Sequence, residues 1–135
     1  MGYYGPARFG VIRQYLRRRN VIVKVTDCKG LLEDELFRVK VVLSRYTGVV
    51  VQQAYTGWMR GPFKKHEFNF VVNDRRLFVS FEIEKWQCLF FPTTLGYTGE
   101  IQLKNVTNDE TLIFPALANL EDNYLVYSKI KCLKI

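Results

Sequence analysis

Two runs of alternating apolar and polar residues stand close together in the middle of the chain. Residues 67–71 read EFNFV and residues 77–83 read LFVSFEI, with Asn73, Asp74 and Arg75 between them. Alternation with a period of two places the apolar side chains on one face of a half-buried strand. The stretch from residue 62 to residue 84 therefore predicts a β-hairpin with one solvent-exposed face.

The same period of two recurs from residue 21 to the C-terminus, in segments rich in β-branched and aromatic residues. Further strands are predicted at 21–26, 36–43, 48–55, 99–106, 111–114 and 124–135, and residues 86–91 fit either a buried strand or the base of a loop. In the last strand we expect Ile130 and Cys132 to face inward, with Leu133 as a further candidate. Short strands separated by Gly, Pro and Asn-Asp turns, without a long helical pattern, predict an all-β fold, an antiparallel eight-stranded β-sandwich.

The N-terminal segment has a different pattern. In residues 7–19 the apolar residues Phe9, Ile12 and Leu16 recur at helical spacing, with arginines mostly on the opposite side. Gly10 weakens the helix prediction, because a glycine inside a helix costs about 1 kcal/mol relative to alanine. We therefore divide the chain into a basic N-terminal arm or helix, 1–20, and a β-sandwich, 21–135.

The charge is as uneven as the pattern. The net charge is +7, and residues 1–26 contain no acidic residue, whereas the remainder is nearly neutral. The basic residues of this first part are Arg8, Arg13, Arg17, Arg18, Arg19 and Lys24. Three interpretations stay open: the composition of a mitochondrial targeting segment, contact with an anionic membrane, and a solvated or partner-docked tail.

Candidate catalytic chemistry is sparse. The single histidine, His66, stands beside lysines before a strand, where we expect a surface residue, and no nucleophile motif, Walker loop or HExxH sequence is present. We therefore expect no enzyme, no metal and no cofactor. Three widely spaced cysteines, Cys28, Cys88 and Cys132, favour buried thiols in a reduced intracellular compartment, and no run of 18 apolar residues indicates a membrane-spanning helix.

The order of the predicted strands resembles that of C2 domains, from about residue 21 to residue 135. The first strand, VIVKVTDCKGLL, fits the opening strand of that family, and residues 35–40 match its Asp-Pro-Tyr-Val-Lys-Val segment loosely. Pro62, Phe68 and Phe70 occupy places of the family's Pro-x-Trp-Asn-Glu-x-Phe-x-Phe sequence, and the alternating strand from Leu77 follows. Gly99 is similar to the glycine of the Gly-Glu pair that opens the seventh strand. The resemblance implies a C2-like β-sandwich.

The departures from the family bear on function. Calcium requires several oxygen ligands, which calcium-binding C2 domains supply as aspartates from the first and third loops at one end of the sandwich. Here Glu35 stands at one of these places, Ile83 and Lys85 stand at others, and no acidic residue occurs between Glu84 and Glu100. If the chain resembles C2 domains in fold, these departures imply that it does not bind calcium in the way of that family.

Several side chains are candidates for partner contacts. Lys64 and Lys65 with Arg75 and Arg76 could form a basic patch around the hairpin, but we favour the alternative that lysines at the start of a strand protect the sheet edge and keep it soluble. The possible apolar contacts are Phe9, Ile12, Leu16, Trp58, Trp86 and Phe90. We expect a non-catalytic accessory subunit that docks onto a larger membrane-associated assembly, mitochondrial by the composition of its arm. The alternatives are peripheral binding to anionic phospholipids and, through the arginine-rich arm, binding to RNA or DNA.

Overall fold

The computed structural model describes residues 18–88, 91–119 and 122–134, and this part of the chain is almost entirely β-structure. Its strands are β1 (Arg19–Lys29), β2 (Phe37–Ser44), β3 (Val50–Tyr55), β4 (His66–Val72), β5 (Phe78–Cys88), β6 (Phe91–Thr98), β7 (Ile101–Gln102), β8 (Thr111–Asn119) and β9 (Asp122–Lys134). One turn of 3₁₀ helix, Leu103–Asn105, follows β7. No helix in these ranges is long and apolar enough to cross a membrane.

All strand pairs are antiparallel, and they form one continuous, almost barrel-shaped sandwich with the order β3-β2-β5-β6-β8-β9-β1-β4, with β7 beside β5. The two halves are joined where Tyr97 and Thr98 of β6 pair with Leu117 and Ala116 of β8. The two ends of the order, β3 and β4, are edge strands. They approach each other where the Gln52 side chain donates a hydrogen bond to the β4 backbone. The predicted antiparallel sandwich is confirmed.

The core lies between the two halves and follows the predicted alternation. Val21, Val23 and Val25 of β1 are fully buried, and so are Phe81 and Ile83 of β5. Each of these strands therefore presents one face to the interior, as a period of two requires.

In β9, two of the three side chains considered for an inward orientation face the core. Ile130 is fully buried and Cys132 packs against the core, as predicted. Leu133 is 41% exposed, so its predicted inward orientation is wrong. Adjacent residues of a strand point to opposite faces, so Cys132 and Leu133 cannot both face the core.

The hairpin predicted for residues 62–84 is also wrong. β4 pairs with β1, with Phe70 opposite Val21, whereas β5 pairs with β2, with Phe81 opposite Val41. Residues 73–77 therefore cross from one half of the sandwich to the other. Alternation determines which face of a strand is buried and leaves its hydrogen-bonding partner open, because both pairings bury the same side chains.

One strand was not predicted. Residues 91–98 contain Pro92 and Gly96, which suggested turns, yet they form β6 and bring the number of strands in the described part of the chain to nine. Pro92 lies beside an irregularity in the β5–β6 pairing. Gly96 lies where β6 meets β8, and a Cβ there would stand 3.3 Å from the Leu117 carbonyl oxygen. Both residues mark irregular or crowded places within a strand, which is a known use of proline and glycine.

Candidate functional site

A group of basic side chains collects at the end of the sandwich where β1 begins. It consists of Arg18, Arg19, Arg75, Arg76, Lys104 and Lys134, and we call it the basic cluster. Sheet pairing sets Arg19 opposite both Val72, the end of β4, and Lys134, the end of β9. The Lys104 N–H donates a hydrogen bond of 3.0 Å to the Arg75 carbonyl oxygen. Four segments that are distant in the sequence therefore contribute positive charge to one end of the molecule.

A groove of about 440 Å³ lies within the basic cluster, lined by Arg19, Asp74, Arg75 and Arg76. Asp74 positions one of these cations: its Oδ1 accepts a hydrogen bond of 2.8 Å from the Arg76 backbone N–H, and its Oδ2 lies 3.0 Å from Arg76 Nη2. The side-chain hydrogen bond with Asp74 and the negative charge of Asp74 raise the pKa of Arg76 above its ordinary value, so the guanidinium stays charged. Three arginines around one carboxylate leave the groove positive and suited to an anionic group.

The sequence-predicted basic residues fall into two sets. Arg18 and Arg19 lie with Arg75 and Arg76, whereas Lys64 and Lys65 precede β4 and lie at its other end. The seven residues of β4 separate the two pairs by about 20 Å at 3.3 Å per residue. Lys64 and Lys65 therefore do not form a single patch with Arg75 and Arg76, since the hairpin that would have joined them does not form.

Sequence reasoning missed Lys104 and Lys134. They join the basic cluster through the pairing of β9 with β1 and through the hydrogen bond of Lys104 to the crossover segment. No local pattern signals that proximity.

His66 contacts only residues close to it in the sequence among the interactions that follow. His66 packs between the rings of Phe63 and Phe68, and its Nδ1–H donates a hydrogen bond of 2.7 Å to the Lys64 carbonyl oxygen. The half-buried ring therefore serves to order the chain that leads into β4.

At the opposite end from the basic cluster, an ion pair joins the first loop to β5. Lys85 Nζ lies 2.9 Å from Glu35 Oε1, and the Glu35 side chain is only 14% exposed. The hydrogen bond with Glu35 raises the pKa of Lys85, so the lysine is an ammonium ion. Among the residues that the structure describes, no three His, Cys, Asp or Glu side chains lie close enough together to hold a metal ion. The Glu35 carboxylate, which the C2 resemblance set at a calcium-ligand place, is therefore paired with an internal cation.

Two tryptophans meet on the outer face of the β2–β5 half. The rings of Trp58 and Trp86 lie 5.2 Å apart at 89°. The Arg38 guanidinium stacks over Tyr55 at 4.1 Å and over Trp58 at 4.4 Å, and its Nε donates a hydrogen bond of 2.6 Å to Glu84 Oε2. Trp86 remains 45% exposed while Trp58 is half-buried, so only one of the two predicted apolar contacts is an exposed surface residue.

Seven of the predicted contact residues lie in parts of the chain that the structure does not describe. Those outside the described residues are Arg8, Phe9, Ile12, Arg13, Leu16, Arg17 and Phe90. The prediction of an amphipathic arm helix lies outside the described residues with them.

An apolar strip that the sequence did not predict runs along the outer face of β6 and β8. Tyr97 pairs with Leu117 across the two strands, and these side chains are 58% and 71% exposed. Ile113, two pleats further along the same face, is 54% exposed and pairs with Tyr127. Contiguous exposed apolar residues of this kind mark interaction surfaces.

Comparisons with known proteins show the fold. No family model matches the chain and no curated protein matches its sequence. Among solved structures, a C2 domain of plant extended synaptotagmin 1 superposes with a TM-score of 0.65 at 20% identity over 86% of this chain and 95% of that one.

Two larger proteins contain a similar domain. Human GIVD cytosolic phospholipase A2 superposes with a TM-score of 0.66 at 11% identity, over 87% of this chain and 16% of that one. A structure of CC2D1B gives 0.63 at 14% identity, over 83% of this chain and 54% of that one. The fold of this protein is therefore C2-like, as the strand order indicated.

Proposed function

We propose that this protein is a non-catalytic binding module of C2-like fold, an accessory subunit that docks onto a larger membrane-associated assembly. The observation that supports this proposal is the basic cluster at the end of the sandwich where the arm joins β1. In the sequence, the arm that precedes β1 contains Arg8, Arg13 and Arg17 and no acidic residue, and the sandwich is otherwise nearly neutral. A positive surface confined to one end steers and orients binding to an acidic surface. The acid-free arm is the basis for proposing a mitochondrial location.

A protein partner is favoured by the apolar strip. Tyr97, Ile113 and Leu117 would lose exposed apolar surface on contact with a protein, and large exposed side chains of this kind are enriched in interface cores. Binding would not require calcium, because Lys85 already neutralises Glu35. The module would thus stay competent to bind in the absence of any calcium signal.

The proposal is tested by charge reversal with a matched control. Arg75→Glu with Arg76→Glu reverses two charges in the basic cluster, and Lys64→Glu with Lys65→Glu makes the same change in net charge at the far end of β4. We expect the first double variant to be lost from the assembly that co-purifies with the tagged wild-type protein, and the second to be retained. Equal retention of both would overturn the proposal. Deletion of residues 1–17 should weaken the association in the same assay.

Anionic phospholipid membranes are the second candidate, favoured by the groove of the basic cluster, whose three arginines suit a phosphate group. Co-sedimentation with vesicles of phosphatidylcholine, with and without phosphatidylserine, tests this candidate at low salt and with either calcium or a chelator. Binding that needs phosphatidylserine, is indifferent to calcium and is lost in Arg75→Glu/Arg76→Glu would support it. No sedimentation with either vesicle would exclude it.

A further inference from the structure

The outer edge of β3 carries backbone groups that no strand of the described chain satisfies. β3 stands at one end of the strand order and pairs on one side only, with β2. The Thr56 N–H donates to the Val39 carbonyl, and the Val39 N–H donates to Thr56 Oγ1. In an antiparallel ladder successive residues alternate between the two sides. Gln52 and Ala54 therefore direct their N–H and C=O groups to β2, whereas Gln53 and Tyr55 direct theirs outward.

Apart from the Gln52 side chain, which reaches across to the Val71 carbonyl of β4, this edge lacks the features by which proteins usually prevent strand addition. Its sequence, VVQQAY, contains no charged residue, no proline and no glycine. Val49, just before the strand, is 56% exposed, and Val50 and Val51 at its beginning are 49% and 40% exposed. Edge strands are normally protected by lysines, prolines or inward-pointing charges. The β4 edge, by comparison, carries Glu67, whose partner Lys24 lies 4.0 Å away on β1.

A cavity of about 500 Å³ lies beside the beginning of β3 and has two kinds of lining. Val51, Val71 and Tyr46 make one part apolar; the other part is polar and contains Arg45 together with Arg76, which is paired with Asp74. The Arg45 side chain is exposed and has no ion pair with any acidic residue of the described ranges. An extended peptide along β3 would thus place an apolar side chain and a carboxylate against matching groups.

We propose that the outer edge of β3 binds an extended segment of a partner protein by strand addition, a segment of alternating apolar residues with an acidic residue that meets Arg45. This inference rests on the proposed function, because it names how a protein partner is held next to the basic cluster. Strand addition supplies affinity through backbone hydrogen bonds and specificity through alternate side chains. A second copy of this chain is a poor occupant, because two molecules with a net charge of +7 repel each other.

The probe is a synthetic peptide of about seven residues in which valine alternates with threonine and each end carries a glutamate. Its counterpart carries lysines at both ends. Binding to the full chain is measured by fluorescence anisotropy, and the contact is located by hydrogen–deuterium exchange of individual amides. We expect the glutamate peptide to bind more tightly than the lysine peptide and to slow the exchange of the Gln53 and Tyr55 amides.

Gln53→Pro removes one outward N–H and leaves the ladder to β2 intact, since proline is tolerated where the N–H of an edge strand faces solvent. We expect this variant to bind the glutamate peptide about tenfold more weakly, and the control Gln53→Thr to bind it like wild type. Equal binding by Gln53→Pro, or exchange that is unchanged at Gln53 and Tyr55, would overturn the inference. If Gln53→Pro does not fold, the exchange result on the wild-type chain decides alone.

Two further outcomes are informative. Equal affinity for the lysine peptide would overturn the role of Arg45, and dimers that are lost in Gln53→Pro would make a second copy the occupant and overturn the proposal. Both variants at Gln53 leave Arg75 and the rest of the basic cluster in place. Peptide binding can therefore fail while charge reversal at Arg75 and Arg76 still releases the assembly, so the two proposals fail separately.

Discussion

Among the charged side chains on the outer face of the sandwich, Arg38 is predicted to be the one whose removal lowers the free energy of unfolding most. Its partner Glu84 is 7% exposed, and the distance from Arg38 Nε to Glu84 Oε2 is 2.6 Å. Arg38→Met would leave the Glu84 carboxylate buried without this hydrogen bond. Breaking a buried pair by removing one partner costs about 3–5 kcal/mol.

The structure places the expected value at the lower end of that range. The Arg38 side chain is 22% exposed, so water can partly replace it, and Lys40 is close enough for its positive charge to act on Glu84. Loss of the cation–π contacts with Tyr55 and Trp58 adds about 0.5–1 kcal/mol each, which contacts of the methionine sulfur with the same rings partly offset. We expect Arg38→Met to lower the free energy of unfolding by about 3 kcal/mol.

Urea unfolding followed by tryptophan fluorescence measures this loss, and two comparisons isolate its cause. Lys24→Met breaks the exposed pair with Glu67, whose side chains are 47% and 52% exposed, and should cost less than about 0.5 kcal/mol. Arg38→Met combined with Glu84→Met removes both charges and should recover most of the loss. A single-variant cost below about 1 kcal/mol, or a double variant no more stable than the single one, would refute the reasoning.

Three other predictions concern the core and the loop end. Gly96→Ala places a Cβ 3.3 Å from the Leu117 carbonyl oxygen and should lower the free energy of unfolding by about 1 kcal/mol, whereas Gly57→Ala, with open space around it, should not; equal effects in urea titrations would contradict this. Burial raises the pKa of Cys28 from 9.0 to about 12, so the unfolded chain loses this proton at lower pH than the folded one. Stability should therefore fall as pH rises above about 9, and Cys28→Val should show a weaker fall if the thiol is the cause. Because the Glu35 carboxylate is already paired with the Lys85 ammonium group, the melting temperature of the protein should be the same in calcium and in chelator. A higher melting temperature in calcium would disprove calcium independence.

Alternation of apolar residues was sufficient to predict the fold class and most strand positions. The turn between β2 and β3 also leaves a signal in the sequence, because Gly48 stands between two alternating segments. In the structure Gly48 lies in a tight turn with a φ of +85°, which glycine adopts readily. The partner strand of β4 could not be predicted from the sequence, since Phe70 would be buried equally well beside β1 or beside β5. Strand partners are determined by the whole core, and no local sequence contains that information.

The candidate site was predicted in part for the same reason. Arg18 and Arg19 were identified from the uneven charge, and Arg75 and Arg76 from their position between two strands. Lys134 joins them only because β9 pairs with β1. When residues from the two ends of a sequence form one site, the uneven charge of the sequence can reveal some of them. The spacing of residues along the sequence cannot show that they lie together.

The pairing of β1 with β9 also has a consequence for the order of folding. β1 lies between β4 and β9, so it can gain one partner as soon as β4 has been synthesised, but it must wait for β9 to gain the other. Until then its hydrogen-bonding groups on one side, and the apolar surface of Val21 and Val23, have an incomplete covering. Contacts between such distant segments slow folding and expose intermediates to aggregation. Nascent chains that lack β9 should consequently depend on chaperones, and the end of the sandwich to which the arm is attached should be among the last parts to become ordered.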